Sequence, residues 1–159
     1  MKGFAGEIEK LTLANKDFRR VLYTGENLQL VLMALPAGVE IGEEVHDDRD
    51  QFFRFEEGAG EVWIDGKRTA VKADDAVVVP AGARHNVVNT GKKALKLYTV
   101  YGPPEHRDGV VHRTKADADA RHEHFDGQTT EKKATKKKPS TTKAAGKKNT
   151  AKKAAARKR

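Results

Sequence analysis

The chain has 159 residues, with 31 Lys and Arg against 23 Asp and Glu, and a formal net charge of +8. It contains no cysteine, which excludes disulfide bonds and thiolate metal sites. No apolar run approaches the ~20 residues that a membrane helix needs, and residues 1–7 lack the apolar core of a signal peptide, so we expect a cytoplasmic protein without a membrane role.

The first 102 residues predict an all-β body. Residues 1–17 mix polar and apolar side chains around Ile8, Leu11 and Leu13, which leaves open an edge strand or an arm across a neighbour. From residue 18 to residue 102, short apolar stretches alternate with turn residues, as is typical of a β-sandwich or barrel, and no helical period competes. The predicted strands are 18–23, 28–35, 51–56, 61–64, 67–71, 76–79, 87–88 and 95–101.

A polar segment follows the predicted barrel over residues 103–128. Pro103 and Pro104 end the last strand, since consecutive prolines cannot continue a hydrogen-bonded ladder. Residues 115–124 predict a short helix with Thr114 as its N-cap. The sequence His-Glu-His at 122–124 has the spacing of a ligand pair, but without convergent partners we expect it to be solvated.

The excess positive charge belongs to the C-terminal tail. Residues 131–159 hold 13 Lys and Arg and one Glu, whereas the preceding residues hold 18 basic and 22 acidic side chains. Because residues 129–159 offer almost no large apolar side chain to bury, we predict a disordered Lys/Ala-rich tail. Its composition is similar to linker-histone tails, which indicates non-specific DNA or polyanion binding through residues 131–159 and nucleoid association; the alternative is a solvated appendage.

Two separated stretches carry the candidate chemistry. In order, their residues are Gly38, Glu44, His46, Gln51 and Gly58 in the first stretch, and Pro80, Gly82, His85 and Asn89 in the second. Alternate residues of a strand share a face, so Glu44 and His46 point the same way. If the faces that carry Gln51 and His85 also point into one barrel, the four side chains converge. Two imidazoles, a carboxylate and an amide oxygen suit a first-row divalent metal.

This spacing resembles the two motifs of the cupin superfamily over roughly residues 30–101. The family's first motif is Gly-x5-His-x-His-x3/4-Glu-x6-Gly, and its second ends in Pro-x-Gly-x2-His-x3-Asn. The resemblance implies a jelly-roll barrel, a double-stranded β-helix, over residues 18–102. It also implies a divalent transition metal (Mn, Fe, Ni or Zn), a small-molecule ligand or substrate in the barrel, and a homodimer.

Three positions depart from the family pattern. Glu44 replaces the first histidine, Gln51 replaces the glutamate, and Asp74 replaces a glycine expected six residues before Pro80. The first two exchanges move the negative charge but leave its total at one, so a divalent ion would meet the usual net ligand charge. This favours a retained but altered metal site.

Two classes of function follow from the resemblance. In the first, the protein is a metal-dependent enzyme of the dioxygenase or sugar isomerase/epimerase type. His46 and His85 would then hold the metal, Glu44 would supply the anionic ligand, and Gln51 would be a weak or hydrogen-bonding ligand. In the second, a non-catalytic module holds a metal or small ligand, and the tail tethers it to nucleic acid. A further alternative is that both histidines only form hydrogen bonds inside the barrel.

Overall fold

Two antiparallel β-sheets build the body of the protein in a computed structural model that describes residues 2–132. The elements in chain order are α1 (Ile8–Ala14), β1 (Arg19–Thr24), β2 (Gln29–Leu35), β3 (Asp50–Glu57), β4 (Ala59–Ile64), β5 (Lys67–Lys72), β6 (Ala76–Val79), β7 (His85–Val88), β8 (Leu95–Gly102), β9 (Val111–His112) and α2 (Lys115–Ala120). No helix within these described residues is long and apolar enough to span a bilayer.

The sheets enclose a single apolar core. The larger sheet has the strand order β6-β3-β8-β2-β1-β9, and the smaller one has the order β5-β4-β7. In β3 and β8, buried side chains alternate with partly exposed ones, as the period of a strand requires. Phe53, Phe55 and Leu97 are fully buried there. The predicted all-β barrel is therefore confirmed, with each predicted strand present to within about two residues.

Asp74, at the position where the motif has glycine, adopts a positive φ angle. Its φ angle is +74°, in the left-handed region that glycine enters freely and that Asp tolerates better than most residues. Its carboxylate accepts a 2.7 Å hydrogen bond from Arg54, whose second nitrogen donates to the Asp74 carbonyl at 2.6 Å. Asp74 thus adopts a backbone conformation that glycine would accept easily, and Arg54 ties the turn to β3.

The N-terminal segment contains a helix, α1, so of the two alternatives for residues 1–17 the edge strand is wrong, while an arm across a neighbour stays a prediction. Ile8, Thr12 and Asn15 lie on the inward face of the segment, and Thr12 is fully buried. The Thr12 hydroxyl donates to the Ile8 carbonyl, while Asn15 closes a turn with Asp17. The helix packs against β2, β3 and β8 of its own barrel. The two buried side chains of this stretch, Thr12 and Asn15, are polar, so hydrophobic periodicity does not reveal the helix.

The last long strand, β8, ends at Gly102 before Pro103 and Pro104, as predicted, but the polar segment that follows adds to the sheet. Residues 110–113 run back along β1 and add β9 at the edge of the larger sheet, where His112 pairs with Arg19. The predicted helix is present as α2, although it ends at Ala120. Thr114 caps it by accepting from the Asp117 amide, and the Asp117 carboxylate accepts from the Thr114 amide in return. This segment, residues 103–128, is called the C-terminal arm below.

Residues 129–132 pack against the body, so the prediction of disorder is wrong for these four positions. Thr129 is buried, and the Thr130 hydroxyl accepts a 2.9 Å hydrogen bond from the Thr24 amide. Thr130 also donates to Asp108 at 2.7 Å. Side-chain hydrogen bonds, rather than apolar burial, hold this stretch, which is why composition did not reveal it. The remaining predicted tail, residues 133–159, lies outside the described residues.

Candidate metal centre

The two sequence motifs meet through a short backbone bridge. Glu44 and His46 lie in the connection between β2 and β3, and His85 begins β7. The backbone amides and carbonyls of Glu44 and His85 exchange two hydrogen bonds of 2.9 Å. Gln51 lies at the start of β3 with its side chain in the core. The fold therefore brings together all four predicted residues, although they come from distant segments.

Their side-chain donor atoms converge. His46 Nε2 lies 3.4 Å from Glu44 Oε2, and His85 Nε2 lies 3.9 Å from the same oxygen. Gln51 Oε1 is 3.0 Å from His85 Nε2. One donor atom from each of Glu44, His46 and His85 falls within 4.8 Å of the others. Donors at these separations can contact one ion, because metal–nitrogen and metal–oxygen bonds are about 2.0–2.2 Å long.

Two features of the histidine rings fit a cation at this point. His46 Nε2 is buried and has no hydrogen-bond partner among the described residues. Both ring nitrogens of His85 face carbonyl oxygens, Ala83 O and Gln51 Oε1, each at 3.0 Å. A neutral imidazole has one N–H and can donate to only one of them. With Nδ1 donating to Ala83, the lone pair on Nε2 faces the Gln51 oxygen, an arrangement that a cation would relieve.

Without a metal, His85 can also satisfy the hydrogen bonds of both its ring nitrogens. Turning the Gln51 amide by half a rotation would aim its N–H at the Nε2 lone pair. His85 would then make two ordinary hydrogen bonds, as expected if the histidines only pack inside the barrel. That rotation leaves His46 Nε2 with a 3.4 Å contact to Glu44 but no hydrogen bond among the described residues, so the donor set as a whole fits a metal better.

Second partners orient the two histidines. His85 Nδ1 is held by the Ala83 carbonyl, and His46 Nδ1 lies 3.6 Å from Glu105 Oε2. Glu105 is in turn anchored by Arg49 at 2.7 Å. A histidine that ligates a metal through one nitrogen commonly pairs its other nitrogen with a carboxylate or carbonyl. Both Nε2 atoms thus point into the cluster while both Nδ1 atoms have partners outside it.

The electrostatic surroundings keep Glu44 ionised. Burial alone would raise the pKa of its carboxyl group, but the contact with His46 and the positive charge of Arg19 outweigh burial, and the pKa lies below its usual value. An ionised carboxylate beside two imidazoles is a suitable ligand set for a divalent cation.

A cavity of about 140 Å³ adjoins the cluster. Its charged and titratable lining side chains are Arg19, Glu44, His46, Glu105, His106, Arg121, His122, Glu123 and His124. Larger depressions of about 830 and 530 Å³ lie beside α1 and touch none of the four predicted residues. Because titratable groups collect around the small cavity, it is the better candidate for chemistry.

The C-terminal arm supplies groups that the sequence did not assign to the site. His106 is buried, its Nδ1 lies 3.0 Å from Glu123 Oε1, and its Nε2 lies 3.4 Å from the Tyr101 hydroxyl. Burial lowers the pKa of His106. His122 and His124 are exposed, as predicted, but Glu123 between them turns inward. A long-range partner seventeen residues away leaves no local sequence signal.

The cupin domain family matches residues 31–101. A solved structure, BH2720 from Bacillus halodurans, is 45% identical to this chain, superposes with a TM-score of 0.74, and is matched over 76% of this chain and 96% of its own. The chain belongs to the cupin superfamily.

Two curated proteins are similar over much of the chain. The uncharacterized protein YrkC of Bacillus subtilis is 48% identical over 124 residues, which cover 74% of this chain and 66% of that protein. The uncharacterized protein L612 of Acanthamoeba polyphaga mimivirus is 37% identical over 109 residues, covering 65% of this chain and 68% of that one. The chain thus spans about two thirds of the length of each.

Proposed function

We propose that this cupin is a metal-dependent enzyme that acts on a small molecule, with a divalent transition metal held by Glu44, His46, Gln51 and His85. One observation carries the proposal: the Nε2 atoms of His46 and His85 lie 3.4 and 3.9 Å from a single oxygen of Glu44, and His46 Nε2 has no hydrogen-bond partner among the described residues. A divalent ion in such a site supplies a Lewis acid with open positions for a small molecule or dioxygen.

The chain's own residues would position the substrate and accept a proton from it. His106 is kept neutral by burial, Glu123 fixes its ring through Nδ1, and its Nε2 lies 3.4 Å from the Tyr101 hydroxyl, so the Tyr101–His106 pair is a candidate proton acceptor. The cavity of about 140 Å³ is well below the ~300–1,000 Å³ of pockets for larger ligands. Of the two predicted reaction types, this size favours a dioxygenase of a short substrate over an isomerase of an intact hexose.

Metal analysis of untagged full-length protein tests the proposal. We expect close to one equivalent of metal after reconstitution with Mn²⁺, Fe²⁺, Ni²⁺ or Zn²⁺, and a higher melting temperature with metal than with chelator. His85→Ala should lose both effects, whereas His122→Ala, a histidine at the exposed rim, should keep them. Sub-stoichiometric metal after reconstitution in the wild-type protein would favour histidines that only form hydrogen bonds.

Turnover separates an enzyme from the alternative non-catalytic binding module. Small oxygenated compounds can be incubated with metal-loaded protein under air and under argon, and followed by NMR. Conversion by the wild-type protein but not by His85→Ala supports the enzyme. Binding without conversion, at equal levels under both gases, supports the module that only holds a metal or small ligand.

The charge distribution favours a second role for the tail. Residues 131–159 carry 13 of the chain's 31 basic residues and one acidic residue, a density that suits sequence-independent binding to phosphates. A gel-shift comparison of the full chain with residues 1–132 tests it. Loss of DNA retention in the shorter protein, with a steep salt dependence in the longer one, is the expected result. Equal retention by both would contradict the role.

A further inference from the structure

Arg19 is a buried arginine at the cavity beside the candidate metal centre. It lies at the start of β1, its residue is 8% exposed, and it lines the cavity with Glu44 and His46. Its Nε is buried without a hydrogen-bond partner among residues 2–132. Within the same residues its nearest ion pair is with Glu44 at 3.9 Å, the limit of such a contact. A guanidinium with five donors is therefore poorly satisfied by the chain itself.

Poor pairing of a buried charge needs a physical reason. Removing a guanidinium from water is costly unless close hydrogen bonds and an opposite charge compensate it. The other cavity carboxylates are occupied elsewhere: Glu105 is held by Arg49 at 2.7 Å, and Glu123 by His106 at 3.0 Å. Glu44 would also be shared with a metal ion. The missing partner of Arg19 is thus most simply a ligand that brings its own negative charge.

We infer that Arg19 binds the carboxylate of a small anionic substrate in this cavity, next to the Glu44–His46–His85 cluster. The inference deepens the proposed function and rests on it for the metal ion, which would lie beside the bound carboxylate. The planar guanidinium fork matches a carboxylate with two parallel hydrogen bonds.

The charges around the cavity leave room for an added anion once a metal is bound. Arg19 and Arg121 line the cavity with Glu44, Glu105 and Glu123, and Arg49 pairs with Glu105, so with neutral histidines the group carries no net charge. A divalent metal would make the group net positive, and a carboxylate would offset part of that charge. Arg121 is exposed to water, so Arg19 is the buried cation of the lining that a bound carboxylate would compensate.

The cavity also limits the size of the acid. A volume of about 140 Å³ corresponds to about four or five water molecules at ~30 Å³ each. Short carboxylates such as acetate, pyruvate and oxalate fall within this range, whereas long-chain or multi-ring acids do not.

Binding of acetate and pyruvate to the full-length protein, measured by calorimetry in chelator and after metal loading, tests the inference. We expect both probes to bind wild-type protein and to bind Arg19→Met about 10- to 100-fold more weakly, the range for loss of a hydrogen-bonded charge. The matched control is Arg20→Gln, since Arg20 is exposed on the same strand and pairs with Asp17. Its affinity should equal that of the wild type.

Metal affinity is measured in parallel and separates the two proposals. If Arg19→Met keeps the metal and loses the carboxylate, both stand. If the wild-type protein binds acetate through Arg19 but takes up no metal, the carboxylate site stands and the metal centre fails. Equal carboxylate affinity in Arg19→Met and wild type overturns the role of Arg19. Tighter binding of inorganic phosphate than of any carboxylate overturns the substrate class.

A comparison within the wild-type protein covers the case in which Arg19→Met does not fold. Acetate should raise the melting temperature in a saturable way, and acetamide, which has the same shape without the charge, should not. Equal protection by acetate and acetamide would refute charge recognition at the site.

Discussion

Exchanging the ligands at positions 44 and 51 tests whether their charges are coupled. Gln51 Oε1 and Glu44 Oε2 lie 3.0 and 3.9 Å from the same His85 nitrogen. In Gln51→Glu the two carboxylates would thus be no more than about 7 Å apart and, at an effective dielectric constant of about 20, would repel each other by at least about 2 kcal/mol. Glu44→His removes the carboxylate instead, and the double variant restores a single negative charge.

Chemical denaturation with chelator present measures the metal-free effect. We expect Gln51→Glu to lose about 2 kcal/mol of unfolding free energy at pH 8 and to recover much of it near pH 5, where one carboxyl group takes up a proton. Gln51→Met is the control, because it removes the amide hydrogen bonds without adding a charge. The double variant Glu44→His/Gln51→Glu should not show the repulsion.

Calorimetric titration with metal completes the double-mutant cycle. Gln51→Glu should bind a divalent ion at least about tenfold more tightly than the wild type, Glu44→His at least about tenfold more weakly, and the double variant close to the wild type. Two results would refute the reasoning. One is equal stability of Gln51→Glu and Gln51→Met in chelator, and the other is a double variant no closer to the wild type than Glu44→His.

Two further predictions concern the frame around the site. Asp74→Ala should cost about 1 kcal/mol of unfolding free energy in urea, because the positive φ angle is strained for alanine. Asp74→Gly should stay within about 0.5 kcal/mol of the wild type. Similar losses in both variants would contradict a backbone cause. Burial lowers the pKa of His112 in the folded protein. As the pH falls, the imidazole is therefore protonated at a higher pH in the unfolded chain than in the folded one, and stability is lost below about pH 6.5. Thermal melts from pH 8 to pH 5 should show a shallower decline for His112→Gln than for the wild type.

The barrel was predictable because its signals are local. The alternation of inward and outward side chains in β3 and β8, and the turn residues between the strands, depend on neighbours in sequence. The same periodicity assigned Gln51 and His85 each to one face of its strand, and the structure shows that both faces point into the interior. Convergence of the four candidate ligands follows once those strands close on each other.

The surroundings of the site were not predictable, since they depend on contacts between distant segments. In the sequence, Arg19 is one charged residue at a strand end and Glu123 is part of a solvated triplet. Their place beside the cavity becomes visible only in the structure, where the arm packs against the barrel. α1 was missed because Thr12 and Asn15 occupy positions where periodicity looks for apolar side chains. The homodimer, the cytoplasmic location and nucleoid association stay predictions, which sedimentation and cell fractionation would check.

The barrel and the C-terminal arm contribute different groups to the candidate site. The family match ends at residue 101, so the strands that hold the candidate ligands belong to the shared barrel, while Glu105, His106 and Glu123 come from outside it. Changes in such a flanking segment can alter which molecule is accepted without disturbing the strands that hold an ion. A common barrel can in this way change its chemistry through the segment that follows it, and relatives are best grouped by that segment as well as by the barrel.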